Sequence, residues 1–344
     1  MAKEFYSNGK LLLTGEYAVL DGALSLAVPT KYGQSLSLKE VASNTLQWKS
    51  YDENGAIWFE GTFDLSPPEN TPKEQSAFSP DTGHITLGFN DHAHHQSREK
   101  RAIAVTLLKI LREAHTLNPY FLGDKKGYAV ETKMTFARDW GLGSSSTLIN
   151  NIAQWAEVDA YELLWNVFSG SGYDIACAQY KSPILYRRKK NRPYTQKRGT
   201  PSLPIAEVEE VNFNPPFRDK LYFIHLNKKQ NSREGIAAYR KKDFDNAKLA
   251  RQVSEITRET VSCKSLSEFE SLMTQHETLL SQTLQMPTVK ELLFPDFTGI
   301  VKSLGAWGGD FVLATGDGTT PMYFEGLGYE TVLPYPEMVL EPAG

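Results

Sequence analysis

A run of glycine and serine residues near the middle of the chain is the first feature that could do chemistry. It consists of Gly141, Leu142, Gly143, Ser144, Ser145 and Ser146. A strand is predicted before the run and a helix after it, and the N–H groups at a helix start bind anions. The run lacks the Gly-Lys-Ser/Thr of a Walker loop, and Ser146 replaces the last glycine of a dinucleotide fingerprint. A phosphate-binding loop and a serine-rich helix cap therefore remain equally open.

Asp174 follows a second glycine turn, at residues 169–172. A carboxylate just inside a helix can serve as a general base, or it can pair with a neighbouring cation. Aspartate at a helix start is also a common cap, so this motif alone is weak.

Two further segments carry charge or glycine in similar settings. Lys10 and Glu16 stand six residues apart around a short apolar strand, where a simple salt bridge is an equally good explanation. Residues 299–310 form a third glycine-rich turn, which leads into a predicted strand at 311–315. Three such turns in one chain favour a ligand site over three unrelated loops.

Hydrophobic periodicity predicts the elements that position these residues. Strands are expected within 4–40, in a hairpin of 46–51 and 56–63 around an Asn-Gly turn, and at 85–89, 127–136, 221–226, 311–315 and 322–325. Helices are expected at 99–115, 148–168, 233–239, 244–261 and 267–284. The basic stretch 187–204 is predicted to be a loop and a domain boundary. Strands and helices mix without βαβ alternation, which favours an α+β fold.

Composition favours a metabolic protein of the cell interior. The formal net charge of −4 makes neither nucleic acid nor an anionic membrane the expected partner. Cys177 and Cys263 stand far apart, which suits a reducing compartment without disulfides. The first residues contain no signal-peptide core, and no stretch approaches the roughly 20 apolar residues of a membrane span. We therefore expect a cytoplasmic protein that acts on a small metabolite.

The order of the four segments resembles the motifs of the GHMP kinase superfamily, which includes galactokinase, homoserine kinase, mevalonate kinase and phosphomevalonate kinase. Residues 9–22 resemble its N-terminal motif and residues 141–146 its phosphate loop. Residues 170–176 resemble the segment that carries its catalytic aspartate, and residues 302–310 its C-terminal glycine motif. Together the matches span nearly the whole chain.

The resemblance implies a two-domain α+β fold with the active site in the cleft. A ribosomal-protein-like domain would cover residues 1–204 and bind ATP, and a ferredoxin-like domain would cover residues 205–344. ATP and Mg²⁺ would be the cofactors. The partner would be a small hydroxylated or phosphorylated metabolite, with no role for nucleic acid or membrane.

The resemblance also implies a role for each residue of the motifs. Asp174 would accept the proton of the substrate hydroxyl, Lys10 would stabilise that oxygen or the transferred phosphoryl group, and Ser145 would contact Mg²⁺. Positioning and charge neutralisation are what phosphoryl transfer requires. ATP phosphates would bind Gly141, Leu142, Gly143, Ser144, Ser145 and Ser146. Substrate contacts would come from Glu16, Tyr17, Gly305, Ala306, Gly308 and Gly309.

Two positions depart from the family pattern. Many members carry a magnesium-binding glutamate eleven residues before the catalytic aspartate, and here that position is Leu163, with Glu162 beside it. Magnesium would then rest on serine and phosphates alone, or on Glu162. Trp307 stands where the family usually has glycine, so this loop would hold its ligand differently or place an aromatic surface against it.

Residues 170–176 look closer to phosphomevalonate kinase, while residues 9–20 fit mevalonate kinase equally well. Mevalonate or phosphomevalonate is therefore the expected acceptor. The alternatives are a nucleotide- or metabolite-binding protein without catalysis and an ATP-dependent decarboxylase of the same superfamily.

Two polar clusters are better explained as solvated surface. Residues 91–95 contain metal-capable aspartate and histidine side chains without the spacing of a metal site. The basic residues of 187–198 and 228–233 would normally face water, although either group could bind the phosphate of a phosphorylated substrate.

Overall fold

The computed structural model describes residues 3–65, 85–86, 94–123, 126–189, 206–230 and 232–341. The strands are β1 (Lys3–Thr14), β2 (Ser25–Val41), β3 (Thr45–Tyr51), β4 (Ile57–Asp64), β5 (Ile85–Thr86), β6 (Gly127–Met134), β7 (Ile184–Arg188), β8 (Ala206–Glu210), β9 (Leu221–His225), β10 (Val301–Leu304), β11 (Phe311–Thr315) and β12 (Val332–Pro334). The helices are α1 (His94–Leu117), α2 (Ser144–Ala156), α3 (Ala160–Val167), α4 (Tyr173–Gln179), α5 (Ser232–Arg240), α6 (Asn246–Ser262), α7 (Leu266–Leu284), α8 (Val289–Leu293), α9 (Thr320–Gly326) and α10 (Tyr335–Met338).

The chain forms two compact units, each assembled from separate segments. The first unit consists of Met1–Ser7, Tyr32–Arg138 and Ser144–Gly170, and the second consists of Asn8–Lys31, Asp139–Gly143 and Ser171–Gly344. Strands β1 and β2 therefore contribute residues to both units. The predicted domain boundary at residues 204–205 falls outside the described residues and stays a prediction.

In the first unit, strands pair in the order β5-β4-β3-β6-β2. The predicted hairpin is confirmed, because β3 and β4 run antiparallel around a turn that contains Gly55 at a φ of 80°. The Asp52 side chain closes this turn by accepting hydrogen bonds from the N–H groups of Asn54 and Ala56. Strand β6 lies parallel to β3 and antiparallel to β2, so it forms the middle of the sheet.

A buried polar network fixes helix α2 within the first unit. Asn150 donates to the Ser7 hydroxyl, and that hydroxyl donates to Asn151 at 2.7 Å. Asn151 donates in turn to the backbone oxygen of Gln34, and Thr147 donates to the Gln34 side chain. Because a buried polar group is costly without a partner, these bonds define one position for the helix.

In the second unit, an antiparallel sheet has the order β10-β11-β9-β12. Every residue of β9 and β11 is buried, which matches their continuous apolar sequences. Phe294 and Phe324 meet edge to face in the core beside this sheet. In the same unit β7 pairs antiparallel with the first part of β2, and β8 pairs antiparallel with β7.

Three sequence predictions are corrected. Residues 322–325, predicted as a strand, lie in helix α9, whose first turn contains Pro321. The single helix predicted for 148–168 is two helices, since Glu157 adopts a φ of 54° between them. Arg187 and Arg188 belong to strand β7 and not to a loop.

The mixed architecture of sheets and helices confirms the predicted α+β class. Across the described part of the chain, no helix is both long and apolar enough to cross a membrane. Of the polar cluster at 91–95, residues 91–93 lie outside the described residues, and so do residues 190–204 of the basic stretch.

Candidate active site

Strand β1 carries Lys10 into the second unit and holds it beside the start of the glycine-serine run. The Lys10 N–H donates to the Leu142 carbonyl at 3.1 Å. Two residues earlier, the Asn8 side chain donates to the Tyr180 carbonyl at the end of α4. These two bonds connect β1 both to the glycine run and to the helix that carries Asp174.

The ammonium group of Lys10 faces an aromatic ring and two carboxylates. Its Nζ lies 5.7 Å from the centre of the Tyr173 ring. Burial by itself would lower the pKa of Lys10, but Tyr173, Asp310 and Asp174 outweigh that effect and raise the pKa above its ordinary value. The Lys10 side chain is therefore held in its charged form.

Asp174 lies in the first turn of α4. Gly172 precedes the helix at a φ of 91°, a left-handed conformation that favours glycine. The Tyr186 hydroxyl donates to the Ser171 carbonyl at 2.6 Å and fixes this turn. Half-buried Asp174 accepts a hydrogen bond from the Ile175 N–H at 3.2 Å. Together these contacts define the direction in which its carboxylate leaves the helix.

The third glycine turn joins β10 to β11. Gly305 and Gly308 have φ angles of 76° and 79°, and Asp310 follows at 53°. A Cβ atom at Gly305 would lie 4.0 Å from Lys10 Nζ, and a Cβ at Gly308 would meet nothing within 4 Å. The turn thus passes beside the ammonium group and leaves open space at Gly308.

Gly141 packs directly against Asp310. A Cβ atom added to Gly141 would lie 2.2 Å from Cγ of Asp310, and Gly141 has a φ of 65°. Only glycine satisfies both conditions. Gly143, at a φ of 92°, is followed immediately by Ser144, the first residue of helix α2 in the first unit. In the first turn of that helix Ser145 is exposed and Ser146 is buried.

Tyr17 and Trp307 are joined by a hydrogen bond. The Trp307 N–H donates to the Tyr17 hydroxyl at 3.0 Å, and the Tyr17 ring stacks on Tyr239 with 5.4 Å between ring centres. The Trp307 indole is buried and donates to the Pro287 carbonyl at 3.1 Å. Trp307 is therefore a packing residue that supports the backbone of the glycine turn.

Glu16 belongs to a fully buried charge cluster. Lys302 Nζ donates to Glu16 Oε1 at 2.6 Å, and neither side chain is more than 1% exposed. Burial raises the pKa of Glu16, while Lys302 opposes that shift. The side chain of Glu16 thus forms an internal ion pair with Lys302. Its contribution to substrate binding stays a prediction.

Two further titratable groups complete this cluster. The Gly15 N–H donates to His276 Nε2 at 2.9 Å, so that nitrogen carries no proton. Burial and the charge of Lys302 hold the pKa of His276 well below its ordinary value. Burial raises the pKa of Glu277 to about 8 against the opposing effect of Lys302, 4.0 Å away. The cluster therefore combines the Glu16–Lys302 ion pair with a histidine whose pKa is lowered and a Glu277 carboxyl group that is largely protonated at neutral pH.

The structure brings several of the predicted residues together in the second unit. Asp174 and Gly305 lie beside the charged group of Lys10. Gly141 precedes Leu142, whose carbonyl accepts a hydrogen bond from the Lys10 N–H. Glu162 lies on the exposed side of α3 and Leu163 is buried. Burial and the neighbouring charges of Asp159 and Glu113 raise the pKa of Glu162.

Sequence reasoning gave no individual role to four residues of this region, although all but the last lie within the matched motifs: Tyr173, Asp310, Lys302 and Glu277. The first two adjoin predicted site residues, because Tyr173 precedes Asp174 and Asp310 follows Gly309. Their position next to a glycine turn is the sequence signal that could have identified Tyr173 and Asp310. Lysine and glutamate side chains are usually exposed, so only the fold shows that Lys302 and Glu277 are buried.

The residues present fit a nucleotide phosphate better than they fit a resident metal ion. The glycine run leads into the N-terminus of a 13-residue helix, whose first N–H groups can bind an anion. Among the described residues, no group of three or more His, Cys, Asp or Glu side chains could hold a metal ion. Mg²⁺ would therefore depend on phosphate oxygens and the Ser145 hydroxyl, and it would supply charge neutralisation there.

Comparison with known proteins identifies the fold. No protein-family profile matches the sequence, and no curated protein matches it significantly. Among solved structures, L. major mevalonate kinase in complex with R-mevalonate is 13% identical, covers 99% of this chain and 97% of its own, and gives a TM-score of 0.62. Streptococcus pneumoniae phosphomevalonate kinase, solved with phosphomevalonate and AMPPNP, is 14% identical over 94% of this chain and 95% of its own, with a TM-score of 0.64. The chain adopts the GHMP kinase fold.

A decarboxylase is also similar in structure. Mevalonate diphosphate decarboxylase from Staphylococcus aureus is 12% identical over 96% of this chain and 94% of its own, with a TM-score of 0.52. The GHMP kinase fold thus accommodates more than one reaction, and identities of 12–14% establish the fold alone. The resemblance drawn from the sequence motifs is confirmed at that level.

Proposed function

We propose that this protein is an ATP-dependent small-molecule kinase of GHMP type. It would transfer the γ-phosphoryl group of ATP to a hydroxyl or phosphate of a small metabolite, with mevalonate or phosphomevalonate as the expected acceptor. The observation that carries the proposal is the environment of Lys10. A half-buried ammonium group interacts with the Asp174 carboxylate and adjoins the turn at Gly305, while the Lys10 N–H donates to Leu142 in the glycine run.

The proposed reaction assigns one task to each residue. Asp174 accepts the proton of the acceptor hydroxyl while the acceptor oxygen forms a bond to the γ-phosphorus. The bond between that phosphorus and the bridging oxygen breaks, and ADP leaves with the electron pair. Lys10 balances the negative charge that moves through the transferred group. The N-terminus of α2 binds the nucleotide phosphates through its N–H groups.

The acceptor end is assigned to the second unit. Tyr17 is held by Trp307 and Tyr239, so its ring and hydroxyl have one orientation. Gly305, Ala306, Gly308 and Gly309 provide the backbone that approaches the ligand. Glu16 supports this end through Lys302, which precedes the glycine turn on β10.

The test is an ADP-release assay with magnesium and a panel of mevalonate, phosphomevalonate, homoserine and sugars. We expect turnover with an isoprenoid-pathway acid. A folded protein that binds ATP in calorimetry but releases no ADP with any acceptor would contradict the kinase and favour a binding protein without catalysis.

The similarity to mevalonate diphosphate decarboxylase supports a second candidate, an ATP-dependent decarboxylase. Carbon dioxide release from diphosphomevalonate separates the two. Release together with ADP would replace the kinase assignment, and ADP formation without carbon dioxide would support it.

A further inference from the structure

Asp310 is a buried carboxylate that the motif reasoning left without a role. It has a φ of 53°, a left-handed conformation that aspartate and asparagine tolerate better than most residues. Its backbone is bonded on both sides, because the Leu226 N–H donates to its carbonyl at 2.8 Å and its own N–H donates to the Lys228 carbonyl at 2.9 Å. The residue is therefore held rigidly where β11 begins.

The side chain of Asp310 is equally constrained. The Gln230 N–H donates to Oδ1 at 3.1 Å, and the Gln230 side chain donates to the Trp307 carbonyl in the same glycine turn at 3.1 Å. A Cβ at Gly309 would lie 2.4 Å from Cβ of Gln230, so the turn and Gln230 are in close contact. These contacts restrict the orientation of the Asp310 carboxylate.

In that orientation the Asp310 carboxylate reaches two parts of the proposed site. It lies against Gly141, where even a methyl group would overlap Cγ. It also interacts electrostatically with the ammonium group of Lys10. Lys10 is bonded through its backbone N–H to the Leu142 carbonyl, and Asp310 packs against Gly141, so both residues adjoin the start of the glycine run.

We propose that Asp310 is a positioning residue for phosphoryl transfer, which sets the position of Gly141 at the start of the phosphate loop and orients the Lys10 ammonium group beside it. This role rests on the proposed kinase function. Asp310 does not itself act on the substrate. It would act through Lys10 and Gly141, so that the cation is already in place when the nucleotide binds.

The surrounding charges agree with this role. Tyr173, Asp174 and Cys177 face Lys10 from helix α4, and Lys229 and His225 act on Asp310 from the segment that includes β9. Burial raises the pKa of Asp310, and Lys10 opposes that shift. Because Asp310 and Asp174 both favour the charged form of Lys10, removing either one lowers the pKa of the lysine.

Asp310→Asn is the decisive variant, because asparagine keeps the shape and the left-handed backbone and removes only the charge. We expect kcat to fall about ten- to hundredfold. The alkaline limb of the pH–rate profile should move to lower pH, since Lys10 loses its proton more easily. In ¹³C-lysine NMR, the pKa of Lys10 should fall, because one of the carboxylates that favour its charged form is removed. Asp296→Asn, which removes the same charge at an exposed position, should leave all three unchanged.

Each result decides the proposal. A lower pKa of Lys10 together with slower turnover supports it. A loss of thermal stability with an unchanged Lys10 pKa would overturn it, because a structural residue would behave in that way. If Asp310→Asn does not fold, Asp174→Asn provides the test, since the Lys10 signal should still show an acid-range step from Asp310. Absence of that step would overturn the proposal.

The NMR titration also separates this proposal from the kinase assignment. If the wild-type protein turns over no acceptor, the proposed function fails, but the effect of Asp310 on Lys10 is still measured. If the enzyme is active and the Lys10 pKa does not respond, only the role of Asp310 fails.

Discussion

The second unit contains two lysines that each interact with two acidic side chains, and they differ in exposure. Lys302 is 0% exposed and lies between Glu16 and Glu277. Lys10 is half-buried and lies near Asp174 and Asp310. In each place one lysine and two acidic residues form a cluster. The Lys302 cluster is fully buried and is called the closed cluster, and the Lys10 cluster adjoins Gly305 and is called the open cluster.

The two clusters balance their charges in different ways. In the closed cluster, Lys302 donates to one carboxylate at 2.6 Å, and the pKa of Glu277 is raised to about 8, which leaves that carboxyl group largely protonated at neutral pH. The charges of Glu16 and Lys302 in the closed cluster neutralise each other without a ligand. In the open cluster, the neighbours of Lys10 raise its pKa, and the adjoining glycine turns leave space at Gly308. We propose that the open cluster binds a ligand and that the closed cluster contributes to stability.

The largest effect is expected for Asp174→Asn, which removes the proposed base from the open cluster. Phosphoryl transfer should fall by about 10²–10⁴-fold, the usual contribution of general-base catalysis. Nucleotide affinity measured by calorimetry should be retained, because the phosphate loop is unchanged. Steady-state ADP release gives the rate. An Asp174→Asn enzyme with wild-type turnover would show that Asp174 is not the base.

Gly141→Ala tests whether the glycine run needs its close contact with Asp310. The added Cβ would overlap the Asp310 carboxylate and would also occupy a φ of 65°. We expect KM for ATP to rise about tenfold or more, because a shift of about 1 Å in the phosphate loop is costly. Gly55→Ala is the matched control, since its φ is 80° and nothing lies within 4 Å. It should lose about 1 kcal/mol of stability and no activity. Equal kinetics in both variants would contradict the close contact.

Glu277→Gln tests the closed cluster through the pH dependence of stability. The pKa of Glu277 is raised from 4.5 to about 8 on folding, so its stabilising contribution is full below pH 4.5 and is lost as pH rises to 8. The free energy of unfolding should therefore fall between pH 6 and pH 9 in the wild type and fall less in Glu277→Gln. At pH 9 the variant should be more stable by roughly 1–3 kcal/mol.

Urea unfolding at both pH values measures this difference. Glu255→Gln, at an exposed position of α6, is the control that should follow the wild type. If Glu277→Gln lost stability to the same extent as the wild type over this range, Glu277 would not be protonated in the native state.

The smallest effect is expected for Trp307→Phe. The variant loses the indole hydrogen bond to the Pro287 carbonyl, which should cost about 1 kcal/mol of stability. KM values for both substrates should stay unchanged, because the indole is buried away from the turn surface. A selective change in either KM would instead place Trp307 against a ligand and assign it to the open cluster.

Much of the second unit could be predicted because local patterns determine it. The apolar sequences of β9 and β11 predict buried strands, and helices α6 and α7 follow clear helical periodicity. Residues 322–325 misled this reasoning, because four residues carry too little periodicity to separate a strand from a helical turn. Here Pro321 was the better signal.

Part of the candidate site could also be predicted, because local sequence patterns mark its glycine turns. The glycines at 141, 305 and 308 predict turns with left-handed backbone, and each of them adopts a positive φ. The partners of those turns depend on contacts distant in sequence: Asp310 meets Gly141, and Lys302 meets Glu16 across 286 positions. No local sequence pattern shows which of the two lysines, Lys10 or Lys302, will be fully buried in the fold.

The account is tested most directly by a comparison of Lys10→Met with Lys302→Met, at a temperature where circular dichroism shows both to be folded. Single-turnover phosphoryl transfer from ATP is measured with the acceptor found in the substrate panel. We predict that Lys10→Met loses transfer by at least about 10²-fold with unchanged thermal stability. Lys302→Met should lose about 3–5 kcal/mol of stability, because it leaves Glu16 buried without its partner, and its folded form should still transfer phosphate. Full transfer by Lys10→Met would contradict the assignment of catalysis to the open cluster.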